Sequence, residues 1–166
     1  MWKSCECLVD PLTQQKLIGV ISDTHGLVRP QAIEALAGVD MILHAGDIGN
    51  SAVLDTLSAV APVVAVRGNN DKGGWAESLP DSEVVKIGAV SIYMLHDLKE
   101  LDISPAGTFQ VVISGHSHKP IVEERRGVLY VNPGSAGPRR FKLPVSVAQL
   151  RVEGSAVNAK LIELSV

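Results

Sequence analysis

Side chains that can bind a divalent metal ion directly follow several separate apolar segments of this sequence. Seven residues share this position: Asp23, His25, Asp47, Asn69, His96, His116 and His118. Carboxylates, an amide oxygen and imidazoles together suit borderline divalent ions such as Mn²⁺, Fe²⁺, Co²⁺, Ni²⁺ or Zn²⁺, whereas Mg²⁺ and Ca²⁺ prefer oxygen ligands alone. Seven ligands are too many for one open site and enough for two, so the residues indicate a dinuclear metal centre.

The apolar segments are predicted to be β-strands that position these side chains. They cover residues 17–22, 39–45, 63–66, 90–95 and 111–114. Runs dominated by branched aliphatic residues are typical of strands buried on both faces, in sheets that are covered by helices. Ligands of open α/β sheets bind beyond the carboxyl ends of the strands, so we expect the seven side chains to converge there.

The first segment shows how a pair of ligands could be presented. Asp23 and His25 are two residues apart. If this stretch continues the extended strand, both side chains leave it on the same side. Gly26 then allows the chain to turn without a penalty from a Cβ atom.

The order of the predicted elements indicates two kinds of sheet topology. Helices are predicted over residues 29–38 and 52–59, which gives a β-α-β-α-β rhythm and hence parallel, right-handed connections. The second half instead predicts hairpins and antiparallel strands, over residues 83–95, 110–114, 121–131, 145–150 and 156–164. The predicted fold class is therefore α/β (α+β), a four-layer αββα sandwich of two mixed sheets flanked by helices.

Length and composition restrict the class of protein. The chain of 166 residues carries a net charge of −3. Proteins that bind nucleic acids stably present a basic surface, so this charge argues against a stable nucleic-acid partner. No apolar stretch reaches the roughly 18 residues expected of a membrane-spanning helix. We expect a loosely ordered leader over residues 1–16, one domain over residues 17–166, and a cytoplasmic location. Cys5 and Cys7 lie in that leader and are interpreted as ordinary residues, because a structural zinc site needs four ligands and the sequence has no second pair of cysteines; a redox or metal role is the alternative.

The motifs, taken in order, resemble those of the calcineurin-like metallophosphoesterases. The resemblance rests on five motifs: Asp23-Thr24-His25-Gly26, Gly46-Asp47, Gly68-Asn69-Asn70-Asp71, His96, and Gly115-His116-Ser117-His118. The short chain and the turn over residues 132–135 are similar to the small microbial phosphodiesterase branch of that superfamily. The resemblance covers about residues 17–140 and also implies an αββα sandwich.

The resemblance assigns the seven ligands to two ions. It implies that Asp23, His25, Asp47 and His118 hold one ion, and that Asp47, Asn69, His96 and His116 hold the other, with Asp47 as the bridge. Two such ions, Mn²⁺ first among the candidates, would supply a bridging hydroxide for in-line attack on phosphorus. The expected activity is hydrolysis of a phosphodiester small molecule or nucleotide.

Several positions make the prediction more specific. Many members of the superfamily carry histidine where this chain has Asn70, and an amide cannot titrate, so Asn70 is expected to contact substrate without supplying a proton. Asp97 stands where the family usually has glycine, and it either orients His96 or crowds the substrate side. Arg139 could bind a phosphate, although exposed arginines are often only solvated. Asp71 is expected to brace its loop through backbone hydrogen bonds.

Two other functions remain open at this point. One is a protein-binding scaffold without turnover, as in the metallophosphoesterase-like subunit of the retromer coat, although that lineage has lost motif histidines that this chain retains. The other is a phosphomonoesterase, which differs only in the shape and charge of its pocket. Exposed hairpins in the second half could also form a homodimer.

Overall fold

The computed structural model describes residues 14–166, and two mixed sheets of five strands each form its centre. The first sheet contains β1 (Lys16–Ile21), β2 (Met41–His44), β3 (Val63–Ala65), β9 (Ser146–Glu153) and β10 (Ala156–Glu163). The second contains β4 (Ser82–Ile87), β5 (Val90–Leu95), β6 (Val111–Ile113), β7 (Ile121–Arg125) and β8 (Val128–Asn132). The predicted leader lies almost entirely outside the described residues, and Cys5 and Cys7 lie wholly outside them.

Each sheet has a parallel centre. In the first sheet the strand order is β10-β9-β1-β2-β3, with β1, β2 and β3 parallel and the β9-β10 pair antiparallel. In the second the order is β4-β5-β6-β8-β7, with β5, β6 and β8 parallel and the outer strands antiparallel. The predicted parallel first half, the two hairpins and the final antiparallel pair are all confirmed.

Side chains that alternate along the strands fill the space between the sheets. Ile18 and Val20 of β1 lie in one buried cluster with Ile92 and Met94 of β5. Because successive side chains of a strand point to opposite faces, Ile21 and Ile42 instead face the helices. The central core therefore lies between the sheets, and a second core lies under the helices.

The helices are short. They are α1 (Pro30–Ala35), α2 (Ser51–Ser58) and α3 (Gly74–Glu77). Asn50 caps α2, because its side chain accepts a hydrogen bond from the Val53 amide at 3.3 Å. Sequence patterns did not predict α3, whose Trp75 packs against the core under the helices. Within residues 14–166, no helix is long and apolar enough to cross a membrane.

The outer face of the second sheet is covered more thinly. A single 3₁₀ turn, Leu98–Glu100, and the loop after it pack Leu98 and Leu101 against Leu95 and Val112. The αββα architecture is thus confirmed, and in the described residues its fourth layer consists of one helical turn and a loop. Pro105 and Gly107 interrupt that loop, which explains why no longer helix forms there.

Candidate metal centre

The seven predicted ligands lie together at the carboxyl ends of the central strands. Loops after β1, β2 and β3 supply Asp23, His25, Asp47 and Asn69 from the first sheet, and loops after β5 and β6 supply His96, His116 and His118 from the second. The structure also divides six of them into two groups of potential ligand atoms within 4.8 Å of one another: Asp23, His25 and His118, and Asp47, His96 and His116.

Hydrogen bonds between loops bring the two groups together. In the first sheet, the amides of Asp23 and His25 donate to the carbonyls of Gly46 and Asp47 at 3.0 Å each. In the second sheet, the Gly115 amide donates to the His96 carbonyl at 2.9 Å. The His116 amide then donates across the sandwich to Asp23 Oδ2 at 3.0 Å. The site therefore joins the two sheets.

Most of the ligands have a left-handed backbone. Asp23, His25, Asp47, His116 and His118 have φ between 46° and 66°. Among the other described non-glycine residues, only Arg126 and Phe141 have positive φ. For a non-glycine residue this conformation costs of order 1 kcal/mol or more, and residues that adopt it are concentrated at functional sites. The expectation that Asp23 and His25 continue an extended strand is therefore wrong, because the chain turns sharply after Ile21 and brings their side chains together through that turn.

Asp23 carries a buried oxygen that lacks a hydrogen-bond donor. Its Oδ2 accepts from Ser22 Oγ at 2.7 Å as well as from the His116 amide, while Oδ1 has no hydrogen-bond partner among the described residues. Instead, Oδ1 faces the Nε2 atoms of His118, His25 and His96 at 3.3, 3.9 and 4.0 Å. A fully buried carboxylate oxygen among three imidazole nitrogens has the chemistry of a cation site, so these residues fit a divalent metal.

Asp47 lies between the two groups. Its Oδ2 is 3.8 Å from Nε2 of His25 in the first group and 3.4 Å from Nε2 of His96 in the second. Asn70 holds both carboxylate oxygens, since its backbone amide donates to Oδ1 at 2.9 Å and its side-chain amide donates to Oδ2 at 2.8 Å. Asp47 is thus the residue whose position suits a shared ligand.

The second group has a defined orientation. His96 Nδ1 donates to the Ala45 carbonyl at 2.7 Å, which leaves Nε2 free to point at Asn69 Oδ1 at 3.0 Å. His116 Nδ1 lies 3.1 Å from the same amide oxygen. A carbonyl accepts only, so the Ala45 contact fixes the proton of His96 on Nδ1 and presents Nε2 as the ligand atom.

Electrostatics within the pair formed by Asp47 and His96 favour opposite charges. Burial acts to raise the pKa of Asp47, but hydrogen bonds from His96 and Asn70 and the charge of His96 outweigh it and hold that pKa well below its usual value. Burial acts to lower the pKa of His96, but the Asp47 hydrogen bond and the charge of Asp23 raise it. A bound cation would replace the proton of His96 in neutralising these carboxylates.

His44 is a buried neighbour of the centre. Its Nδ1 accepts from the Gly46 amide at 3.1 Å, so Nε2 carries the proton and donates to Thr24 Oγ1 at 3.0 Å. Thr24 in turn donates to the Ile48 carbonyl at 2.9 Å. Burial lowers the pKa of His44 to about 4, so the ring is neutral at pH 7. His44 is a satisfied core residue that ties together the loops after β1 and β2.

Two aspartates near the centre have supporting contacts. Asp71 accepts from the amides of Gly49 at 3.0 Å and Gly68 at 2.8 Å, so it braces its loop as predicted. Within residues 14–166, the Asp97 carboxylate forms no hydrogen bond or ion pair with the His96 ring. It accepts from the Lys99 amide at 3.0 Å, and its Oδ2 lies 3.7 Å from His116 Nε2, which corrects the expectation that it orients His96.

Three residues that were not predicted as site residues support the ligands, although two of them lie in the turn over residues 132–135. Ser22 Oγ donates to Asp23 Oδ2, and Ser135 Oγ donates to the Asp23 carbonyl at 2.9 Å. Asn132 donates to the Gly115 carbonyl at 2.8 Å and to Ser117 Oγ at 3.1 Å, which supports the loop that carries His116. Serine and asparagine are common in loops, so only the fold shows that these side chains reach the ligands.

The centre opens into a cavity of about 360 Å³ lined by Asn69, His96, His116 and Asp97. Arg67, on its rim, is held by Asp81 through a 2.6 Å contact. Arg139 is exposed, and its guanidinium donates to the Val166 main-chain oxygen at 3.4 Å. The described contacts of Arg139 therefore do not include the candidate ligands.

The fold and this ligand set are those of a metallophosphoesterase domain. The chain belongs to the calcineurin-like phosphoesterase superfamily, whose domain matches residues 17–155. A probable metallophosphoesterase of Methanocaldococcus jannaschii is 37% identical over 162 residues, a match that covers 89% of this chain and 81% of that protein. The predicted superfamily is confirmed.

Two solved structures have a similar fold. An archaeal phosphodiesterase superposes with a TM-score of 0.73 at 26% identity, covering 88% of this chain and 99% of that one. Vps29 of Chaetomium thermophilum superposes with the same TM-score, 0.73, at 24% identity, covering 90% of this chain and 97% of that one. The likeness to Vps29 concerns the fold alone.

Proposed function

We propose that this chain is a dinuclear metal-dependent phosphodiesterase. The observation that carries the proposal is the position of Asp47 Oδ2, which lies within 4 Å of a histidine from each ligand group. The buried Asp23 oxygen without a donor supports it further, because a cation would satisfy that atom. The phosphodiesterase among the solved relatives supports the choice of diester over monoester substrates.

The ligand assignment follows the two groups. Asp23, His25, Asp47 and His118 would hold one ion, and Asp47, Asn69, His96 and His116 the other. When bound, such a pair activates water and neutralises negative charge on the phosphoryl oxygens. The mixed nitrogen and oxygen donors favour a transition metal, and Mn²⁺ is the ion we propose.

The protein's own groups orient this chemistry. Asn70 holds both oxygens of Asp47 and so keeps the shared ligand in one orientation. The Ala45 carbonyl and Asn69 keep the His96 ring aimed at Asp47. Asn70 cannot donate a proton to a leaving oxygen, and acid catalysis is typically worth 10²–10⁴-fold. We therefore expect a preference for esters whose leaving group departs without protonation.

The proposal has further parts. They are a nucleotide or other small phosphodiester as substrate, phosphate binding by Arg139, a single domain over residues 17–166, a cytoplasmic location and a homodimer. A protein-binding scaffold stays the alternative, since the fold also occurs in Vps29.

The test compares hydrolysis of bis(4-nitrophenyl) phosphate and 4-nitrophenyl phosphate. The chain is stripped of metal with a chelator and then reloaded with Mn²⁺. We expect diester hydrolysis only after reloading, and a fall of at least about a hundredfold in kcat/KM in the Asp47→Asn variant. Asp55→Asn is the matched control, because Asp55 is exposed on α2 and is expected to leave turnover unchanged.

The other outcomes distinguish the alternatives. Faster hydrolysis of the monoester would replace the phosphodiesterase with a phosphomonoesterase. Tight metal binding without hydrolysis of either ester would overturn an enzymatic function and favour the scaffold.

A further inference from the structure

A second cavity of about 520 Å³ lies beside the candidate metal centre. It shares Asp97 and His116 with the cavity into which the ligands open. Its floor is formed by the loop over residues 114–117 and by β8, and its rim carries Lys99, Lys119 and Arg125. Its volume lies within the roughly 300–1,000 Å³ typical of sites for small organic ligands. A molecule bound there would therefore touch a residue of the metal centre itself.

The charge of this cavity favours an anionic ligand. Lys99 and Lys119 are exposed, and within residues 14–166 neither forms an ion pair with a carboxylate. Asp97, which also lines the cavity, is engaged with the Lys99 amide and lies beside His116. The two ammonium groups are thus available to a ligand, and phosphate oxygens are suitable acceptors for them.

The cavity also offers a flat surface. The Arg125 guanidinium lies over the Tyr130 ring, 5.0 Å from its centroid, and it is held in place by Glu123 at 2.8 Å. The guanidinium and the tyrosine ring are both planar groups on which a further planar ring can stack. Ile121, which is 42% exposed, adds apolar surface next to it. Planar and cationic groups together match a nucleoside that carries a phosphate.

We propose that this cavity binds one ester arm of the substrate, and that this arm contains a planar base and a further phosphate. Lys99 and Lys119 bind the additional phosphate, the Arg125 plane stacks on the base, and the reacting diester lies beyond His116 at the metal centre. This inference rests on the proposed phosphodiesterase function. The substrate class is accordingly a short 5′-phosphorylated oligonucleotide or a comparable dinucleotide.

Binding to the metal-free chain tests the cavity independently of activity. Thymidine 5′-monophosphate is titrated into the full chain at low ionic strength while amide resonances are followed by NMR. We expect shifts of the amides of residues 114–121 and weaker binding of thymidine, which lacks the phosphate. The Lys99→Ala/Lys119→Ala variant should bind the nucleotide at least about tenfold more weakly. Lys160→Ala, an exposed lysine on β10, is the matched control and should bind as the parent does.

Kinetics of the Mn²⁺-loaded chain test the link to the substrate. We expect kcat/KM for the phosphorylated dinucleotide pTpT to exceed that for TpT by about tenfold, chiefly through KM. In the double lysine variant the ratio of the two kcat/KM values should fall to about one, and in Lys160→Ala it should not change.

Failure of this inference is distinguishable from failure of the proposed function. Equal cleavage of pTpT and TpT, with no nucleotide binding to the metal-free chain, would overturn the subsite while diester cleavage still supported a phosphodiesterase. Nucleotide binding without cleavage of any diester would overturn the phosphodiesterase, and with it the assignment of the occupant as a substrate arm.

Discussion

Asp97 places a carboxylate beside the candidate metal ligand His116. Its Oδ2 lies 3.7 Å from His116 Nε2, on the far side of the ring from Asn69. That distance is too long for a hydrogen bond, but a charge at such a distance still acts on a partly exposed imidazole. A negative charge behind a ligating histidine adds to the attraction of the site for a cation.

Replacing Asp97 with Asn should therefore weaken metal binding. Asn can still accept from the Lys99 amide, so the substitution removes the charge and keeps the local turn. We expect the Mn²⁺ affinity of the site that contains His116 to fall by about tenfold, measured by competition with a chelator. Asp102→Asn, an exposed position in the following loop, is the control. Identical affinities in the parent and Asp97→Asn would show that the carboxylate does not act on His116.

His44 gives a prediction for stability against pH. Because burial lowers its pKa to about 4, the unfolded chain binds a proton near pH 6.5 that the folded chain does not. The contribution of His44 to stability is complete above pH 6.5 and is lost as the pH falls toward 4, by an amount of order 3 kcal/mol.

The His44→Gln variant isolates this contribution. Glutamine offers an acceptor and a donor in place of the two ring nitrogens but does not titrate. We expect the free energy of unfolding of the metal-free chain, from urea titrations, to fall less steeply between pH 6.5 and 4 in the variant. Parallel pH profiles for the two chains would contradict a neutral, buried His44.

Among the elements, the loops after the strands are packed as tightly as the core. A Cβ atom on Gly68 would lie 2.1 Å from the Asp47 amide nitrogen, and one on Gly115 would lie 2.0 Å from Ser22 Oγ. Contacts this short leave no room for a side chain unless the loop moves. These glycines therefore permit the close approach of loops that brings the ligands together.

Gly68→Ala and Gly74→Ala form a matched pair that tests this packing. Gly74 also has an ordinary backbone conformation, but a Cβ atom there meets nothing within 4 Å. We expect Gly68→Ala to lower the free energy of unfolding by about 2 kcal/mol or more and to weaken metal binding, and Gly74→Ala to change stability by less than about 0.5 kcal/mol. Equal effects of the two substitutions on unfolding and on Mn²⁺ content would refute the packing argument.

The strands could be predicted from the sequence, whereas the loop geometry could not. Apolar runs such as residues 17–22 and 90–95 mark buried strands wherever they occur, and the ligands follow them directly. The left-handed conformation of Asp23 and His25 depends instead on hydrogen bonds to the loop after β2, which lies more than 20 residues away. The residues next to Asp23 and His25 in the sequence therefore do not predict this conformation.

At the scale of the whole molecule, the metal centre lies where the two parallel strand sets meet. Each sheet directs the carboxyl ends of its central strands to this edge, and the His116 amide links the second sheet to Asp23 of the first. The sequence predicted two mixed sheets because the strand types change between its halves. It did not predict that β9 would pair with β1, since that pairing joins segments more than 120 residues apart.

The central claim is tested most directly by the number and positions of the metal ions bound to the folded chain. Crystals of the Mn²⁺-loaded protein would be measured for anomalous scattering at the manganese edge. We expect two ions roughly 3.5–4 Å apart, one beside Asp23, His25 and His118 and one beside Asn69, His96 and His116, with Asp47 contacting both. A single ion, or ions bound away from these seven residues, would contradict the dinuclear centre.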